Sequence, residues 1–315
     1  MNPLAEPQGQ KPPGTLFTVL ALLGVLVLYP FAGAGLTLVA TGGRFIDSEF
    51  RLLDSAMMPR LRVAQAVGQV LVLMLPALLL ARLHSGSRTL FGAKNISWLG
   101  IGRTDGILPL VAAGAGMLLL QPLMYTITEV QNLGLPYLGE VGNAMLRDQE
   151  RLELFIRRFA AYDSVPGFLA VAAVLAVTPA ICEEIFFRGY VQKSFASSLS
   201  PVKALLLTGF VFALFHMEPS NIIPLTLLGW YIGYIYQKSG NLAVPAVAHG
   251  TNNLAALLFL SMEQWFSGVS TADGGHGIVS MWQWWVFVIV SLAIFFVLMR
   301  RFPEPAASAQ LDNNV

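Results

Sequence analysis

The sequence is poor in charged residues. Only 12% of its 315 residues are charged and 55% are hydrophobic, whereas soluble domains carry roughly 25% charge. This shortage excludes an ordinary soluble domain and predicts an all-α fold, a polytopic bundle of membrane-spanning helices surrounded by lipid. The net charge of +1 and the lack of a basic cluster give no indication of a nucleic-acid partner.

Cysteine and the common hydrolase motifs are also scarce. Cys182 is the single cysteine, so the chain forms no internal disulfide. A thiol in an apolar helix is inert, which argues against Cys182 as a nucleophile. The sequence contains neither the GxSxG motif of serine hydrolases nor the HExxH motif of zinc proteases. A hydrolytic reaction would therefore depend on other residues.

Long apolar stretches divide the chain. We predict about eight spans, at 15–41, 62–83, 106–129, 166–195, 201–216, 221–238, 241–262 and 280–300. The polar tails 1–14 and 302–315 are expected to be disordered. Between them we distinguish an N-terminal region of three spans and a loop (15–165), a core (166–262), and an outer loop with the last span (263–301).

The loop 130–165 contains an amphipathic pattern. Leu152, Phe155, Ile156 and Phe159 fall on one helical face, with charged residues elsewhere. This pattern predicts a helix that lies in the membrane interface. A solvated surface helix is the alternative that the pattern leaves open.

Two adjacent carboxylates interrupt the span 166–195. A carboxylate at membrane depth is costly unless it is paired or faces a polar cavity, so Glu183 and Glu184 are functional candidates. Glu184 and Arg188 are four residues apart and can pair on one helical face. Glu183 points about 100° away and has no partner within the helix. One carboxylate is therefore expected to be structural, and the other is available for chemistry.

The next apolar regions add imidazoles and an amide. His216 follows Phe212 by one helical turn, and Asn253 follows His249 at the same spacing. A glutamate in apolar surroundings can act as a general base, assisted by a histidine. Histidine and asparagine side chains can donate hydrogen bonds to a developing oxyanion. The pattern indicates peptide hydrolysis.

The three motifs EExxxR, FxxxH and HxxxN, in this order, resemble those of the CAAX-protease and bacteriocin-processing family, which includes the type II CAAX prenyl endopeptidase. The resemblance covers about 170–260. It implies a glutamate intramembrane protease that acts on a membrane-associated protein or peptide, with lipidated proteins among the candidate substrates. The motif residues are Glu183, Glu184, Arg188, Phe212, His216, His249 and Asn253.

The resemblance also implies a role for each motif residue. Glu183 would activate water with help from His216, and His249 and Asn253 would form the oxyanion hole. The remaining three residues would support the site: Glu184, Arg188 and Phe212. No cofactor is expected.

Three alternatives stay open. The first is a metal-dependent protease with a divalent cation on Glu183, His216 and His249. The second is a transporter, and the third is a non-catalytic protein with a structural Glu–Arg pair; a transporter would more readily show internal repeats. The remaining histidines, His84 and His276, fall in predicted loops and are expected to be solvated.

We predict that both termini are cytoplasmic, in the plasma membrane of a prokaryote. The number of predicted spans is even, and the short loops on one side, including 83–105, carry most of their charge as Lys and Arg. A fluorescent protein fused to either end should fluoresce, and alkaline phosphatase at the same positions should be inactive. Active phosphatase at one end only would contradict the even number of spans.

Overall fold

The computed structural model describes residues 13–44, 56–104, 106–266 and 279–303, and these residues are almost entirely helical. The tails expected to be disordered, most of the outer loop and His276 lie outside the described residues. The helices are α1 (Thr15–Ala40), α2 (Met58–Ser85), α3 (Ala93–Trp98), α4 (Leu108–Leu138), α5 (Glu140–Phe159), α6 (Val165–Ala196), α7 (Pro201–Phe215), α8 (Ile222–Ser239), α9 (Ala243–Phe266) and α10 (Trp282–Arg300).

Six of these helices are long and apolar enough to cross a membrane: α1, α2, α4, α6, α9 and α10. The prediction of an all-helical, multi-pass protein is confirmed, and the predicted number of eight spans is approximate. The other two predicted spans, α7 and α8, form helices that differ from the rest. Helix α7 has only 15 residues, and α8 carries tyrosines, a tryptophan, Gln237 and Lys238. The two pack against each other inside the bundle, where fewer of their side chains have to face lipid.

Widened, π-helical turns interrupt α2 and α6. Val70–Met74 precedes Pro76, and Ala173–Val177 precedes Pro179. Proline lacks an N–H group and clashes with the carbonyl one turn back, so the hydrogen-bond ladder has to shift there. A third such turn, Ile185–Gln192, directly follows Glu184. Turns of this kind often adjoin functional sites, and here they flank both glutamates.

Helices α7 and α8 cross where two glycines meet. A Cβ added to Gly229 would lie 2.8 Å from the Cα of Gly209, closer than real Cβ atoms come. The backbone of α8 also faces α6, where Arg188 donates to the Gly229 carbonyl (3.1 Å) and Gln192 donates to the Gly233 carbonyl (3.0 Å). Close glycine packing thus places α8 carbonyls where two buried donors need acceptors.

The amphipathic segment of the long loop forms helix α5. Phe159 is buried with Leu61 of α2, and Phe155 packs against the same cluster. Arg62 of α2 donates to the carbonyls of Phe159 (3.0 Å) and Ala161 (2.5 Å). These contacts attach the C-terminal end of α5 to the bundle. Its location in the membrane interface stays a prediction.

The expectation of a solvated His84 is wrong. His84 lies in the last turn of α2, half-buried, with its ring stacked on Trp98 (6.0 Å between centroids) and on Tyr190 (6.1 Å). Helix α3 brings Trp98 back against α2 and α6. The sequence alone could not show that this short return helix covers the histidine.

We expect Gly229→Ala to destabilise the protein, because an added methyl group forces α7 and α8 apart. Overpacking of this kind costs about 1–3 kcal/mol, so the melting temperature in detergent should fall. Gly24→Ala in α1 is the matched control, since no atom lies within 4 Å of its added Cβ. An unchanged melting temperature for Gly229→Ala would contradict the close crossing.

Candidate active site

A fully buried ion pair lies at the centre of the bundle. Arg188 Nη1 donates to Glu184 Oε1 at 2.8 Å, and the two side chains are 0% and 1% exposed. The guanidinium also lies 4.7 Å from the centre of the Phe212 ring and donates to the Gly229 carbonyl. These contacts compensate a charge that would otherwise be very costly at this depth. The pairing expected from the four-residue spacing is present.

His249 of α9 joins the same pair. Its Nδ1 lies 2.8 Å from Glu184 Oε1, and an ionised carboxylate only accepts, so Nδ1 carries the hydrogen. The opposite ring nitrogen, Nε2, then faces Glu183 and lies 3.9 Å from its Oε2. Glu184 therefore binds both Arg188 and His249, and it determines which edge of the imidazole Glu183 meets.

Glu183 is only partly paired. Gln69 Nε2 donates to Glu183 Oε1 at 3.2 Å. Oε2 is buried and has no hydrogen-bond partner among the described residues, and the same is true of Glu184 Oε2 and Gln69 Oε1. All three atoms are acceptors. Buried acceptors without partners indicate a place for a small donor such as water.

His216 and His249 both contact the ring of Phe212. The Phe212 ring is 4.7 Å from the His216 ring and 5.7 Å from the His249 ring, with edge-to-face geometry in both cases. His216 is exposed, and its Nδ1 donates to the Phe212 carbonyl at 2.9 Å. In the described structure, it makes no hydrogen bond or ion pair with Glu183.

Asn253 lies one turn beyond His249 on α9 and is half-buried. Its Oδ1 accepts from Asn252 Nδ2 at 3.1 Å, and Asn252 Oδ1 accepts from Gln121 of α4 at 3.0 Å. This chain of amides orients Asn253 through its oxygen. The two N–H donors of Asn253 are left for another acceptor.

The sequence reasoning missed the two glutamines, Gln69 and Gln121. Both come from the N-terminal helices. Gln69 contacts the motif residue Glu183 across 114 positions of sequence, and Gln121 contacts Asn252, the neighbour of Asn253, across 131 positions. The available signal was a glutamine within an apolar span, since buried polar groups in a membrane usually have a partner. That signal does not identify the partner.

The residues suggested for a metal site do not converge. In the described part of the chain, no group of three His, Cys, Asp or Glu side chains has a metal-binding arrangement. Glu183 and His249 approach each other, but His216 is directed to Phe212. The geometry of this trio does not fit a resident divalent cation, so no step below uses one.

The comparisons with known proteins concern this same region. Residues 165–255 match the family model described as type II CAAX prenyl endopeptidase Rce1-like. This segment belongs to the CAAX-protease family. It covers α6 to α9 and includes every motif residue named above. The expectation from the motifs is thereby confirmed, and the chain is a multi-pass intramembrane peptidase.

Other comparisons return nothing. No curated protein matches the chain, and no solved structure matches it either. The spans before residue 165 and the last span lie outside the matched segment of this peptidase. Of these helices, α2 and α4 contribute Gln69 and Gln121 to the site.

We expect Arg188→Met to unfold or strongly destabilise the peptidase. Removing one partner leaves the Glu184 carboxylate buried and uncompensated, which costs about 3–5 kcal/mol. The matched control is Arg157→Met in α5. Arg157 pairs with Glu153 at the same four-residue spacing, but the two side chains are 33% and 52% exposed.

The control should cost about 0–1 kcal/mol, because exposed pairs contribute little. Chemical denaturation in mild detergent measures both variants. Equal losses for the buried and the exposed pair would contradict the central role of Arg188. Arg188→Met combined with Glu184→Leu should regain part of the lost stability.

Proposed function

We propose that this peptidase hydrolyses a peptide bond with a water molecule activated by Glu183. The observation that carries the proposal is the unequal state of the two adjacent glutamates. Glu184 is occupied by Arg188 and His249, whereas Oε2 of Glu183 has no partner in the described structure and faces Nε2 of His249. Of the two glutamates, only Glu183 can accept a proton without breaking an ion pair.

The distances suit a water between Glu183 and His249. Glu183 Oε2 and His249 Nε2 are 3.9 Å apart, too far for a direct hydrogen bond. A water beside both atoms can give one proton to Oε2 while its oxygen attacks the scissile carbonyl. Glu183 then passes that proton to the leaving amine as the C–N bond breaks. A general base within hydrogen-bond reach of the attacking water typically contributes about 10²–10⁴-fold to the rate.

Asn253 and His249 are suited to stabilise the oxyanion. Asn253 presents N–H donors because its oxygen accepts from Asn252. A protonated His249 can donate from Nε2 while Nδ1 stays bonded to Glu184. Donors placed in advance at the developing charge are a large term in acyl transfer, about 3 kcal/mol each.

The proposed role of His216 differs in detail from that expected. Its Nδ1 donates to the Phe212 carbonyl, so Nε2 of the neutral ring is an acceptor. The ring is exposed and, like the His249 ring, contacts Phe212. We assign His216 to the substrate side, where it accepts or returns a proton once a peptide is bound.

The substrate is a protein or peptide at the membrane surface. The matched family description names a CAAX prenyl endopeptidase, and a lipidated C-terminal Cys-a-a-X sequence is accordingly the first substrate class to test. We place the enzyme in a prokaryotic plasma membrane with both termini in the cytoplasm.

A transporter or a non-catalytic protein would need only the Glu184–Arg188 pair. Neither alternative explains why a second carboxylate, an imidazole facing it and an oriented asparagine lie beside this pair. The metal-dependent version of the protease would need His216 to turn toward Glu183. Cleavage that continues in the presence of a chelator separates this version from the proposal.

We expect Glu183→Gln to abolish cleavage and Cys182→Ala to leave it unchanged. The amide cannot accept the proton from water, so the rate should fall by about 10²–10⁴-fold. Cys182 is buried in the same helix and serves as the matched control. Purified enzyme and a quenched fluorescent peptide ending in S-farnesyl Cys-a-a-X provide the assay.

Membrane proteomics extends the test to an unknown substrate. Cells with Glu183→Gln should accumulate an uncleaved precursor that cells with the wild type or Cys182→Ala process. Cleavage by Glu183→Gln, or its loss in Cys182→Ala, would contradict the proposed mechanism.

A further inference from the structure

Glu183 accepts a hydrogen bond from a helix outside the matched segment. Gln69 of α2 is 3% exposed, and its Nε2 donates to Glu183 Oε1 (3.2 Å) and to the hydroxyl oxygen of Tyr29 in α1 (3.1 Å). We propose that Gln69 is a positioning residue for hydrolysis, which holds the Glu183 carboxylate so that Oε2 faces His249. This inference rests on the proposed function of Glu183.

The carboxylate determines which end of the Gln69 amide it meets. Both hydrogen bonds leave from Nε2, so the amide oxygen is turned away from Glu183. The reversed amide would bring an oxygen against the carboxylate oxygen, and two acceptors would face each other. Tyr29 accepts from the same Nε2 and helps to hold the amide in place.

The hydrogen bond from Gln69 makes the two carboxylate oxygens different. Oε1 is tethered to α2, while Oε2 lies 3.9 Å from His249 Nε2 and has no partner in the described structure. The terminal torsion of a glutamate is soft. Without a donor at Oε1, the carboxylate can rotate and the proton-accepting oxygen leaves the place where the water is held.

A purely structural Gln69 would behave differently. If the buried amide only joined α1, α2 and α6, replacing it would lower the stability of the protein. The molecules that still fold would then cleave substrate with the wild-type kcat. A positioning residue lowers kcat in the folded fraction and leaves substrate binding almost unchanged. The split between kcat and KM separates the two roles.

The test uses Gln69→Leu in the full chain, with a substrate that the wild type cleaves and Glu183→Gln leaves intact. A hydrogen bond to a charged group is commonly worth a factor of about 10–100, so kcat per folded enzyme should fall by that amount. KM should stay within about twofold.

Gln192→Leu is the matched control. Gln192 is also fully buried and also donates from its amide, but to the Gly233 carbonyl of α8. It has no contact with Glu183 in the described structure. We expect this variant to lose stability and to keep the wild-type kcat in its folded fraction.

Tyr29→Phe adds a variant that leaves Gln69 and Glu183 in place. It removes one acceptor of the amide, so kcat should fall less than in Gln69→Leu. The double variant should be no slower than Gln69→Leu alone, because Tyr29 acts through Gln69. If Gln69→Leu does not fold, an unchanged kcat in Tyr29→Phe overturns the inference.

Each outcome has one meaning. Full kcat in folded Gln69→Leu, or an equal loss in Gln192→Leu, overturns this inference and leaves the proposed function intact if Glu183→Gln is inactive. Cleavage by the Glu183→Gln variant would contradict both this inference and the proposed function.

Discussion

A guanidinium buried among membrane helices needs partners that compensate its charge, and the arrangement of the site follows from this need. Arg188 is fully buried and obtains a carboxylate from its own helix, a backbone carbonyl from α8 and an aromatic face from α7. Glu184 in turn binds His249 from α9. One cation thereby joins the four helices of the segment that matches the protease family.

This compensation divides the work between two neighbouring glutamates. The Arg188 pair occupies Glu184, whereas Glu183 is rotated away on the same helix and meets a neutral amide and an imidazole. In the proposed mechanism, neighbouring positions on a helix thus serve stability and chemistry separately. The N-terminal helices contribute through glutamine amides that reach Glu183 and, through Asn252, Asn253.

Local features of the site could be predicted from the sequence. The four-residue spacing predicted the Glu184–Arg188 pair, and the 100° step separated Glu183 from it, because both depend only on the geometry of one helix. The apolar stretches gave the long spans for the same reason. Helix α7 is too short and α8 is too polar to be among the six helices that are long and apolar enough to cross a membrane, although both were predicted as spans.

Contacts between distant segments could not be predicted. The approach of Gln69 to Glu183 depends on how α2 packs against α6, and no periodicity within either helix carries that information. The hydrogen bond between His249 and Glu184 is of the same kind, and it places His249 next to Glu183, whereas His216 bonds to the Phe212 carbonyl. The widened turns beside the glutamates also alter the side-chain directions expected from a regular helix.

The central claim concerns the position of one water molecule. A high-resolution structure of the enzyme with an uncleaved substrate analogue tests it most directly. The account predicts a water about 3 Å from Glu183 Oε2, next to His249 Nε2 and in line with the scissile carbonyl. A carbonyl bound about 10 Å or more from Glu183, beyond the reach of one bridging water, would contradict it.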